Sequence, residues 1–142
     1  MTITDANIYT TVFTDVRAVI VAAAPFVTNS STSATTAAGI EGKYNDKKTS
    51  KPQIVIEPPK KDESSGWKFG SNEGKKFINV TVECYHKGLL GTQQLAEQVE
   101  ASIKANNFGG MELVGIASDQ AFTDPNRSKY QMKSTTFTFD RE

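Results

Sequence analysis

The chain has 142 residues, 37% of them hydrophobic and 23% charged, with 16 basic residues balancing 16 acidic ones. That length fits one domain with a core that needs neither metal nor disulfide, and a neutral chain gains nothing from long-range attraction to nucleic acid or anionic lipid. Cys84 is the only cysteine, so an intrachain disulfide is excluded. The start, Met1-Thr2-Ile3-Thr4-Asp5, lacks the basic and apolar run of a signal peptide, and no apolar stretch is long enough to span a bilayer.

The first expected element is a helix over Asp5–Ala24. Thr4 or Asp5 can cap it, and Ile8, Val12, Val16, Val19 and Ile20 recur at spacings of three and four. Pro25 should end it. Thr28–Ser50 reads as a long polar loop, rich in Ser, Thr, Ala and Asn, that is either disordered or an arm ordering on a neighbour. Gln53–Glu57 reads as a short strand stopped by Pro58-Pro59, which cannot donate ladder hydrogen bonds. Glu57–Lys75 reads as an extended hairpin tip with Trp67 and Phe69 inside it.

Lys76–Lys87 is the clearest strand: Ile78, Val80, Val82 and Cys84 alternate with Asn79, Thr81, Glu83 and Tyr85. Thr92–Asn106 is the clearest helix, with Thr92 as expected N-cap and a stripe of Leu95, Val99 and Ile103. A third strand over Met111–Ala117 follows. Ser118–Ser128 is then a loop around the turn signature Asp124-Pro125-Asn126, and Lys129–Phe139 a last strand. The order α-β-β-α-β-β predicts an α+β two-layer sandwich: a mostly antiparallel four-stranded sheet with helices packed on one face. It forms a single domain over residues 1–142.

The chemistry-bearing residues form no catalytic constellation. Cys84 and His86 share a strand face, yet a cysteine ending an apolar face packs as a small hydrophobe. Gly70–Lys76 echoes a phosphate loop but is one residue short, with Lys76 where Ser or Thr should bind magnesium. One histidine and one cysteine cannot build the usual zinc sites, and Glu112, Asp119 and Asp124 lie scattered. Lys47, Lys48, Lys51, Lys60 and Lys61 are interleaved with acids, which reads as a solvated face. Asn29-Ser30-Ser31 and Asn79-Val80-Thr81 are chance glycosylation matches. No enzyme activity, catalytic residue, cofactor or metal is expected.

The stretches "VIEP" (Val55–Pro58), "INVTVECYHK" (Ile78–Lys87) and "LAEQVEASI" (Leu95–Ile103) follow one another in an order that resembles the tail-completion, or tail-terminator, proteins of long-tailed bacteriophages. The resemblance covers most of Pro52–Glu142 and, more loosely, the first helix. It implies a structural virion protein of the tail and neck, assembled in the host cytoplasm. Such a protein forms a ring, commonly a hexamer, at the head-proximal end of the tail tube. It joins the tube to the neck connector proteins, with genomic DNA passing through the ring without specific binding. In that reading the two hairpin tips reach neighbouring subunits, with Trp67, Phe69 and Lys75 on one and Phe122, Asp124 and Arg127 on the other. The alternatives are another neck component, such as a head–tail adaptor or a tube-like subunit, and a small nucleic-acid-binding α+β module.

Overall fold

The computed structural model describes residues 7–42, 51–62, 77–119, 122–123 and 130–141. Within them the order is α1 (Ile8–Ala23), β1 (Phe26–Thr28), β2 (Thr35–Ala37), β3 (Gly39–Glu41), β4 (Gln53–Ile56), β5 (Lys60–Asp62), β6 (Phe77–His86), α2 (Leu89–Ala105), β7 (Met111–Ser118), β8 (Phe122–Thr123) and β9 (Gln131–Arg141). The fold is α+β.

In α1 the expected stripe is the buried one: Ile8, Val12, Val16 and Ile20 face inward together with Thr11. The cap differs from the expectation, since the N-cap is Asn7 rather than Thr4 or Asp5, and it makes no side-chain capping bond. The helix stops at Ala23. Ala24 turns into the left-handed region with φ 48°, and its N–H donates to the Val21 carbonyl at 3.1 Å. Pro25 then holds the chain extended.

The sheet departs from the four-stranded antiparallel expectation. Its main path runs β3-β4-β6-β9-β7, and β3 pairs with β4 in parallel, so the sheet is mixed. The remaining pairs along that path are antiparallel. Two short strands extend it: β5 lies against Phe77–Asn79 of β6, and β8 against Gln131–Met132 of β9. Pro58-Pro59 explains the gap between β4 and β5, because neither can donate to the ladder. Across that gap the Glu57 N–H still donates to the Thr81 carbonyl at 2.9 Å.

Two stretches expected to be loops carry strands. Within Thr28–Ser50, β2 and β3 form, and β1 ends on Thr28; residues 43–50 lie outside the described part. Within Ser118–Ser128, Phe122–Thr123 pairs with β9.

One apolar cluster joins the layers. Ile78, Val80, Val82 and Cys84 of β6 meet Ile54 and Ile56 of β4, Phe137 and Phe139 of β9, and the buried stripes of both helices. Phe108, just past α2, packs its edge against Phe139 with ring centroids 5.1 Å apart and planes at 72°. The far face of the sheet is polar but ordered. Thr81 and Thr136 share a hydroxyl hydrogen bond of 3.0 Å, and the Thr138 hydroxyl donates to Asn79 Oδ1 at 2.7 Å. Val55 and Tyr85, on that second face, are nonetheless buried. Tyr85 is therefore not the outward aromatic that strict alternation suggests.

Candidate functional site

The Cys84–His86 pair resolves into two structural roles. Cys84 is 1% exposed, within the apolar cluster. Burial pushes its thiol up to about 12, with Glu83 adding to the rise and the nearby Lys133 ammonium opposing it. A nucleophile must be a thiolate, and this site disfavours one. His86 is half-buried at the end of β6, and its Nδ1 accepts the Gly88 N–H at 3.0 Å.

That contact builds the start of α2. Gly88, not Thr92, is the N-cap, and the helix opens at Leu89. Thr92 sits a turn inside, fully buried, with its hydroxyl donating to the Gly88 carbonyl at 2.9 Å. Serine and threonine inside a helix can bond back to the carbonyl four residues earlier in this way. The His86 ring lies so close to Gly91 that a Cβ there would stand 2.7 Å from His86 Cε1 and 2.9 Å from Val27 Cγ1. Gly91 is thus the gap through which strand, helix and β1 meet.

Around this junction lies an open cleft of about 480 Å³. One wall comes from the hairpin of β1 and β2, through Val27, Asn29, Ser31 and Thr36; the other runs from His86 to Gly91. Leu89 and Leu90 stand at its rim, Leu90 being 77% exposed. The hairpin turn is held by Asn29, whose Oδ1 accepts the N–H groups of Ser31 and Thr32 at 2.9 and 3.1 Å.

The hairpin is fastened to α2 by two glutamines. Gln98 Oε1 accepts the Phe26 N–H at 3.1 Å, and its Nε2 donates to the Phe26 carbonyl at 2.7 Å. Gln94 Oε1 accepts the Thr28 N–H at 2.9 Å, and its Nε2 donates to the Thr28 hydroxyl at 3.0 Å. Side-chain amides here replace the strand that β1 lacks on that side. Sequence reading missed both residues. Their only signal is a spacing of four, shared by any pair one turn apart.

The expected interface residues are placed only in part. Trp67, Phe69, Lys75, Asp124 and Arg127 lie outside the described residues, as does the glycine-rich Gly70–Lys76. Phe122 is in β8, its backbone opposite Met132. Among the described residues, no three His, Cys, Asp or Glu side chains gather as a metal site, and Glu112 and Asp119 are exposed. No helix among those residues is long and apolar enough to cross a membrane. The Asn79 amide, in one of the glycosylation matches, is engaged by Thr138 across the sheet.

A comparison with protein-family models matches none of them to this chain. A comparison with curated proteins finds no significant match either.

Proposed function

We propose that this chain is a structural virion protein. It forms a ring at the head-proximal end of a phage tail tube, terminates the tail and joins it to the capsid neck. The observation that carries this reading is the edge of the sheet at β7. This strand runs eight residues, Met111–Ser118, and among the described residues it pairs on one side only. Soluble proteins blunt such edges with several charges, with proline, or with bulges that twist the edge away. Here the strand holds one charge, Glu112, and its bulge between Leu113 and Gly115 turns out Val114, which is 47% exposed.

The opposite end of the sheet supports the same reading. Counting directions along the path, β3 and β4 run one way, β6 the other, β9 with β4, and β7 with β6. The two end strands therefore run in opposite senses. β7 of one copy beside β3 of the next makes an antiparallel pair, and such head-to-tail contacts close into rings when the rotation allows. Among the described residues, neither β3 nor β7 pairs on its outer side, which leaves both ends of the path for neighbours. The neutral charge of the chain, 16 against 16, leaves no net repulsion between copies.

The test is mass measurement by light scattering with negative-stain imaging of the purified protein, alone and mixed with tail tubes. Rings, free or seated on tube ends, are the expected result. Val114→Lys should reduce them while leaving the melting temperature of the subunit unchanged. A chain that stays monomeric and ignores tubes overturns the proposal.

A further inference from the structure

We infer that the β1–β2 hairpin is a latched lid: it swings from α2 as one unit, about a hinge at Ala24–Pro25 and Ala38–Gly39, while the helices and the main sheet stay folded. The inference concerns a single copy and stands apart from the ring reading.

Four observations carry it. First, within Phe26–Ala37 only Val27 is buried, so little apolar surface holds the hairpin down. Second, its polar fastening to α2 among the described residues is the Gln94 and Gln98 amides, through bonds in exposed positions where water can replace them, and Val27 is its buried apolar contact there. Third, the bonds that define the hairpin travel with it. The β1–β2 register and the Asn29 turn are internal, and so is the neck bond from the Ala38 N–H to the Pro25 carbonyl at 2.9 Å. Fourth, the hinge is strained. Ala24 is held at φ 48° and ψ 61°, a left-handed conformation that a residue with a Cβ disfavours. Rotation about Ala24 relieves that strain. It also widens the cleft, since one wall is the hairpin and the other the start of α2.

The central strand provides the contrast. β6 is paired along both edges, and its apolar face lies within the cluster shared with both helices, so its amides exchange only when the molecule unfolds.

Native-state hydrogen exchange tests this residue by residue. The Phe26 and Thr28 amides should exchange at least about 100-fold faster than those of Val80 and Val82, with little dependence on urea. Replacing both glutamines (Gln94→Ala with Gln98→Ala) should accelerate Phe26 and Thr28 by about tenfold, with no change in their weak urea dependence. An oxidised Thr28→Cys, Gln94→Cys pair should slow the hairpin amides together, Asn29 and Ser33 included, and reduction should restore them. Buried Cys84 stays out of that disulfide. Exchange of Phe26 and Thr28 in step with Val80 overturns the lid. So does a glutamine variant in which Phe26 and Thr28 keep their wild-type rates, or a disulfide that slows Thr28 alone.

Discussion

The side chain of Gln98 closes a two-bond ring with the peptide of Phe26, accepting its N–H at 3.1 Å and donating to its carbonyl at 2.7 Å. Gln94, one turn earlier, likewise accepts the Thr28 N–H, but donates to the Thr28 hydroxyl rather than to its carbonyl. The match is geometric. Four residues of helix rise about 6 Å, and two residues of strand span about 6.6 Å. A helix can therefore stand in for a strand when it carries amides at that spacing. Gln98→Ala should cost about 1 kcal/mol in urea unfolding. Gln98→Glu should cost at least as much at neutral pH, because a carboxylate cannot donate to the Phe26 carbonyl. A glutamate as stable as the wild type would show that the second bond contributes nothing.

Gly91 tests the junction of β6, α2 and β1. Alanine is the better helix former by about 1 kcal/mol, so Gly91→Ala on an open helix would stabilise. Here the added methyl meets the His86 ring and Val27, and the variant should be less stable by about 1–3 kcal/mol, the range for overpacked sites. Adding His86→Ala should return part of that loss, and a double-mutant cycle by chemical denaturation measures it.

Cys84 should resist alkylation in the folded protein. With its thiol near 12, about one molecule in ten thousand is thiolate at pH 8. The unfolded chain should react at the ordinary rate. The same shift predicts a pH dependence of stability. A raised folded-state value means that the contribution is whole below the ordinary value of 9.0 and is lost as pH climbs toward about 12. Relative to Cys84→Ala, the wild type should lose up to about 1.4 kcal/mol per pH unit in that window. Parallel curves for the two proteins would refute the assignment.

The Phe108–Phe139 contact fastens the turn after α2 to the centre of the sheet. Phe139→Ala should cost about 3–5 kcal/mol, as large-to-small changes at buried aromatics do. Phe108 is slightly more exposed and should cost less. Their coupling in a double-mutant cycle should be about 0.5–1.5 kcal/mol, the usual range for edge-to-face rings.

The elements legible in the sequence are those whose pattern is local. β6 alternates because one face is buried against helices, and four core residues fall on that face in turn. The stripes of α1 and α2 are read for the same reason. Thr92 misled because threonine after glycine looks like a cap; its burial at the centre of the junction turns the hydroxyl back to Gly88 instead. The loop expected over Thr28–Ser50 misled more deeply. Its composition cannot offset its own ordering cost, and the groups that fasten the β1–β2 hairpin, Gln94 and Gln98, lie 66 and 72 residues away along the chain.

By itself, then, the sequence determined which segments are amphipathic, with what period, and where proline interrupts them, because those follow from each residue and its near neighbours. Only the tertiary structure decided that β3 joins β4 in parallel, that two glutamines complete β1, and that His86 shapes the start of α2. Those outcomes depend on hydrogen bonds and contacts between distant segments. No local period encodes such partners.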